Sequence, residues 1–155
     1  MIGIYRPNSK NSGCACSFYF GNDGNVYINA IQQYSWDNNK KIGSFSENSK
    51  NSDKSISVKL SIFECGGLIH AIDSYEEYSM FHSYKDDKTQ ISFKPWVKND
   101  PKNTKAFGLS IVRNSSDKFR IPIEYSDAVV IKQFLIFCLN KTFLANEKKK
   151  SSNSQ

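Results

Sequence analysis

One local pattern, used twice, constrains this chain most: an alternating strand that runs without a break into a capped helix. In the first copy, Ser55–Leu60 sets Ile56, Val58 and Leu60 on one side and Ser57 and Lys59 on the other. It leads straight into Ser61-Ile62-Phe63-Glu64, where Ser61 and Glu64 have the spacing of a capping box. In that motif each side chain satisfies an orphan backbone donor of the first helical turn. In the second copy Phe119, Ile121 and Ile123 make an inner face, and Glu124-Tyr125-Ser126-Asp127 opens a long apolar helix. Each copy closes a strand-rich stretch, so the chain reads as two tandem units, strands first and helix last.

The remaining strands follow from the same alternation. Cys14–Phe20 and residues 26–33 form a hairpin about Gly21-Asn22-Asp23-Gly24, which is strong turn chemistry. In the second arm Val26, Ile28 and Ala30 share one face, and Tyr27, Asn29 and Gln33 the other. Residues 89–96 point Ile91 and Phe93 inward and Ser92, Lys94 and Trp96 outward; residues 106–113 turn Phe107, Leu109 and Ile111 inward. Pro122 sits on the outer face of its strand, which favours an edge or a strand end. The first helix extends to about residue 72 and contains Gly66-Gly67, which together cost about 2 kcal/mol in a helix. That cost predicts close packing against another backbone. The closing helix, about 125–144, is apolar on nearly all sides, so it is central or covered by a second subunit. Residues 1–12 are polar and expected to be loose, as are 146–155, which leaves a single domain over 13–145. Residues 38–54, rich in Asn, Ser and Lys, are expected to form a mobile loop with a short strand at 42–45. Residues 75–88 give no reading.

At 155 residues the chain can bury one real core. Its formal charge of +6 bears on partners and solubility rather than fold. The four cysteines, Cys14, Cys16, Cys65 and Cys138, lack the spacing of a secreted protein, and residues 1–10 are polar, with Arg6 and Pro7 where a signal peptide has its apolar core. An intracellular, reducing compartment is expected. The most apolar run, 128–144, is broken by Lys132, Asn140 and Lys141 and suits a buried helix better than lipid. His70 and His82 have no carboxylate or cysteine at ligand spacing, and Cys14-x-Cys16 has no second pair. Asp73, Glu76, Glu77, Asp86 and Asp87 lie in a polar stretch and read as solvated surface. The sequence carries no phosphate-binding glycine loop, nucleophile elbow or metal-binding helix motif. No catalytic residue, metal or cofactor is expected, and the chain is not read as an enzyme.

The outward positions carry a different chemistry. Alternation places Tyr27, Asn29, Gln33, Lys59, Lys94, Trp96 and Arg120 away from the core, with Arg113 and Lys118 flanking the last turn. In the first strand Phe18 and Tyr19 compete for the outward position. Cations meet phosphates, and aromatic faces stack on unpaired bases for about 1–3 kcal/mol each, with little regard to which base it is. The competing reading is a solvated sheet face whose aromatics fill cross-strand pairs.

Leu60-Ser61-x-x-Glu64-x-Gly66-x-Leu68, Phe81-His82, Ile91-x-Phe93-x-Pro95, Phe107-x-Leu109-Ser110-Ile111 and Phe119-x-Ile121-Pro122-Ile123 follow one another over residues 58–144, and in them the chain resembles the Whirly proteins, single-stranded DNA-binding proteins of plant organelles, and the related mitochondrial guide-RNA-binding proteins. Leu60-Ser61-x-x-Glu64-x-Gly66-x-Leu68 matches the family's Leu-Ser-x-x-Glu-x-Gly-x-Leu. Phe81-His82 matches its Phe-Phe-His, and Ile91-x-Phe93-x-Pro95 its Leu-x-Val-x-Pro. Phe107-x-Leu109-Ser110-Ile111 and Phe119-x-Ile121-Pro122-Ile123 match its last two strands, and Tyr34-x-Trp36 is similar to a family Tyr-Asp-Trp. The resemblance implies an α+β fold of two antiparallel four-stranded sheets packed crosswise with two helices, an internal duplication of a strand-strand-strand-strand-helix unit. It also implies homotetramers that hold single strands along the sheet surfaces, with Tyr27 and Asn29 on a nucleic-acid-facing strand. The chain departs at Ser12-Gly13-Cys14-Ala15-Cys16, where the family has Lys-Gly-Lys-Ala-Ala, and in its long insert at 38–54.

The expected function is therefore weakly sequence-dependent binding of single-stranded DNA, with RNA as a further ligand, in replication, recombination or nucleic-acid protection. The expected interface is Tyr19, Tyr27, Asn29, Gln33, Lys59, Lys94, Trp96, Arg113, Lys118 and Arg120. The expected setting is the cytoplasm of a bacterial cell or phage-infected host, which suits the Asn/Lys/Ser-rich composition, with an organelle as the alternative. No membrane association is expected. The rival function is a structural or protein-interaction module whose exposed aromatics meet a protein partner.

Overall fold

The computed structural model describes residues 1–152 and, of these, the side chains of all but Asp117 and 148–152. The protein is α+β, with antiparallel sheets and two helices. The first sheet contains β1 (Ile2–Arg6), β2 (Cys14–Phe20), β3 (Val26–Gln32) and β6 (Ser55–Leu60), in the order β1-β2-β3-β6. A small hairpin, β4 (Ser35–Asp37) with β5 (Ile42–Ser44), and a short 3-10 turn at Ser46–Asn48 fill the connection before β6. Helix α1 (Ile62–Ser74) follows β6 directly. The second sheet is a meander of β7 (Tyr78–Tyr84), β8 (Asp87–Val97), β9 (Lys105–Arg113) and β10 (Asp117–Glu124), ordered β10-β9-β8-β7, and α2 (Tyr125–Ser152) follows it.

Alternation sets what each strand buries. Phe18, Ile28, Ile91, Phe93, Phe107, Leu109, Ile111, Phe119, Ile121 and Ile123 are all buried, in one apolar cluster joined by Leu68 and Ile72 of α1 and Ala128, Ile131, Leu135 and Cys138 of α2. Phe93 and Phe107, on neighbouring strands, stack at 4.6 Å. The capping box is formed: the Glu64 amide donates to Ser61 Oγ at 3.2 Å, and the Ser61 amide to Glu64 Oε2 at 2.7 Å. Asp127 plays the matching part in α2, accepting from the Glu124 amide at 2.9 Å.

Several expectations are corrected. Residues 1–12 are not loose as a whole, because Ile2–Arg6 pairs with β2, buries Ile4, and ties its end down through Arg6. Arg6 forms an ion pair with Asp127 and donates to the Pro122 carbonyl at 3.2 Å. In the insert at 38–54 the short strand expected at 42–45 is present as β5, and the rest is less loose than expected, since a 3-10 turn follows and the Asn48 side-chain amide donates to the Gln32 carbonyl at 3.0 Å. The unread stretch 75–88 contains β7 and the start of β8. Helix α2 runs to Ser152 instead of ending near 144, which takes in much of the stretch expected to be disordered; 153–155 lie outside the described residues. The two glycines of α1 also differ from expectation. A methyl placed on Gly67 would sit 2.2 Å from the Tyr78 ring, so a side chain, not a backbone, fills that space. Nothing lies within 4 Å of the same position on Gly66.

Candidate nucleic-acid interface

The outward residues of the first sheet form one continuous ladder. Tyr19 lies opposite Tyr27, and Tyr27 opposite Lys59; one step along, Ser17 lies opposite Asn29, and Asn29 opposite Ser57. The competition in the first strand is resolved, with Phe18 buried in the core and Tyr19 on the outer face. The rings of Tyr19 and Tyr27 stack at 5.1 Å and 13°. The Tyr27 hydroxyl donates to Asp23 Oδ2 at 2.6 Å, which fixes the ring against the β2–β3 turn. That hydrogen bond, aided by Asn25, lowers the Asp23 carboxyl to about 2, and the same carboxylate raises the Tyr27 phenol. The turn itself depends on Gly24, whose φ of 79° is the left-handed region that favours glycine.

Beside this ladder runs a groove of about 930 Å³. Its floor is the outer face of β2, β3 and β6, including Tyr19, Asn29 and Lys59. One wall is the insert around Ser52, and the other is the end of the second sheet, with His82, Tyr84 and Arg113. Arg113 donates to the Ser52 carbonyl and so joins the two walls. His82 Nε2 lies 2.7 Å from Glu64 Oε1. Burial works to raise the Glu64 carboxyl, but the Ser61 backbone and hydroxyl and His82 outweigh it, and its pKa is lowered.

The outer face of the second sheet is a separate surface. Lys94, Trp96, Lys118 and Arg120 are exposed there, around a floor of Ser92, Gly108 and Ser110 that is flat because its side chains are short or absent. A shallow apolar depression of about 280 Å³ lies between Trp96, Lys94, Arg120 and Pro122. Lys94 forms an ion pair with Glu77 at 2.9 Å, and the Trp96 carbonyl accepts from the Tyr75 hydroxyl at 2.8 Å.

The expected residues thus fall into two groups: Tyr19, Asn29, Lys59 and Arg113 at the groove, with Tyr27 beside it against Tyr19, and Lys94, Trp96, Lys118 and Arg120 on the second sheet. Arg113 joins the first because it shares the inward parity of Ile111 and leans past the sheet end. Gln33 belongs to neither and is the correction. Its side chain is buried, accepting from the Asn8 amide at 2.9 Å and donating to the Asn8 and Ser35 carbonyls at 3.0 and 2.9 Å. The strand ends at Gln32, so alternation no longer fixes where Gln33 points. Sequence reasoning missed His82 and Tyr84 at the groove and the exposed Phe81 on the second sheet, all on the unread strand β7. The Tyr78, Met80, His82 alternation against Ser79 and Phe81 was the available signal.

The four cysteines are free and buried, and burial pushes the Cys16 and Cys65 thiols up to about 12. Among the described residues no group of three or more His, Cys, Asp or Glu is placed to hold a metal ion. The fold and this geometry define an α+β chain with aromatic and cationic outer sheet faces. Compared with family models, curated proteins and solved structures, the chain matches none.

Proposed function

We propose that this chain is a single-stranded DNA-binding protein, with RNA as a further ligand, of the Whirly type and without enzymatic activity. The observation that carries the reading is the groove beside the first sheet, lined by Tyr19, Lys59 and Arg113, with Tyr27 stacked on Tyr19 at its edge. Aromatic faces and cations at that spacing suit bases and phosphates of an unpaired strand. The second sheet repeats the combination with Trp96, Lys94, Lys118 and Arg120, which gives the strand a second tract. The reading extends to the fold: the two sheets cross, and the two strand-helix units descend from one duplicated unit.

The reading also includes a homotetramer joined through α2. Among the described residues one helical stretch, Tyr125–Glu147, is long and apolar enough by composition to cross a membrane, and only 22% of its most apolar window is buried within the chain. Val129, Val130, Phe137, Phe143 and Leu144 are exposed, away from the Ala128–Ile131–Leu135–Cys138 stripe in the core. Exposed apolar patches of this kind mark contact surfaces. A second copy satisfies this one and leaves the sheet faces open for nucleic acid. The cellular role is protection or presentation of single strands in replication or recombination, in the cytoplasm of a bacterial cell or an infected host.

Exposed Phe63 and Phe81 favour the second reading, a protein-interaction module. Salt separates the two. Binding to a labelled thymidine oligomer should weaken steeply and log-linearly as salt rises, through counterion release. An oligomer affinity indifferent to salt would overturn the nucleic-acid reading.

A further inference from the structure

Asn29 stands out on the groove floor. Its Oδ1 is buried without a hydrogen-bond partner, although both cross-strand neighbours, Ser17 and Ser57, carry hydroxyls. A buried acceptor left unpaired weakens a fold, and native proteins keep few of them. The surroundings give this one a use. Serines on both sides leave a well in the sheet surface, one ladder step from the flat face of the Tyr19–Tyr27 stack. The well opens into the groove that Asn29 helps to line. An asparagine amide is one donor and one acceptor side by side, and rotation about its side-chain bonds turns that edge from the sheet toward the groove.

We infer that Asn29 reads the Watson–Crick edge of a base seated in this well. The inference rests on the single-strand reading above and deepens it. Each unpaired base presents a donor beside an acceptor on that edge, and an amide can pair with both; thymine offers N3–H and O4. In a duplex the edge is consumed by the complementary base. Selection for single strands is then made by a hydrogen-bonding group, and does not depend on stacking and charge alone. The tyrosine pair supports the neighbouring base, and Lys59, opposite Tyr27, meets the connecting phosphate.

The test compares a fluorescent thymidine oligomer with the same oligomer methylated at every N3. Methylation blocks the edge and preserves the stacking faces and every phosphate. The wild-type chain should bind the methylated oligomer at least about tenfold more weakly, in line with the discrimination of a paired amide contact. Asn29→Ala should bring the two affinities together. Equal affinities for the wild-type chain would overturn the inference while leaving single-strand binding intact. So would a gap that survives in Asn29→Ala, since the edge would then be read elsewhere. Failure to bind either oligomer would overturn the single-strand reading and this inference with it. The wild-type comparison needs no variant, so it decides the matter even if Asn29→Ala folds poorly.

Discussion

On the proposed function, Trp96 and Lys59 would meet a strand through different physics, and single substitutions separate the two. Trp96 is 46% exposed on the second sheet and offers a stacking face. Trp96→Ala should weaken binding to a thymidine oligomer by about 1–3 kcal/mol and leave the salt slope unchanged. Lys59→Ala should instead reduce that slope by about 0.7, the share of one phosphate contact on a single strand. Fluorescence titrations at several salt concentrations measure both. Alternation was enough to find Lys59, which lies between buried Val58 and Leu60, and Trp96, which continues the outward parity of Lys94 near the end of β8. It failed at strand ends. Gln33 lies one residue past β3 and turns inward to hold the 8–11 turn, and Arg113 has inward parity yet reaches the groove because the sheet stops there. A side chain at or beyond the last ladder pair takes its direction from tertiary contacts that the sequence does not display.

Helix α1 provides two controlled contrasts. The first lies in its glycines. Gly66→Ala should stabilise the chain by up to about 1 kcal/mol, the helix-propensity difference, because its outward space is empty. Gly67→Ala should destabilise it by about 1–3 kcal/mol, since the new methyl drives into the Tyr78 ring. Urea unfolding of both variants checks the opposite signs. The second lies in the cap. The Glu64 pKa is lowered in the folded chain, so its contribution is fully present above the unfolded carboxylate pKa of about 4.3 and is lost as pH falls through the lower folded value. Thermal unfolding across pH should show wild type above Glu64→Ala near neutrality and the gap closing in acid. The cap was legible in the sequence because its geometry is local, with two side chains three residues apart. The occupant of the space beside Gly67 was not, because Tyr78 belongs to a strand whose short polar and aromatic run hides its alternation. Strand β1 was missed for a related reason: its five residues gain their order from Arg6 reaching Asp127 and Pro122, far away in the chain.

At the scale of the whole molecule, the chain keeps three surfaces apart: two outer sheet faces of aromatics and cations, and the apolar outer stripe of α2. Apart from β1, β4 and β7, the order of strands and helices was readable, because each of the read strands carries its own period. The assembly was not, since one chain's sequence marks an uncovered apolar stripe without marking what covers it. Phe137 is more than half exposed on that stripe, so Phe137→Asp removes little from the core. It should leave the fold intact by circular dichroism and shift the sedimenting species from tetramer to smaller forms. A monomer in the wild type at the same concentration would contradict the tetramer. Single-strand recognition is decided by titrating the wild-type chain with a labelled thymidine oligomer and with a duplex of the same length, at equal salt. Clearly tighter binding to the oligomer is expected. Equal affinity for both, or negligible affinity for either, would contradict it.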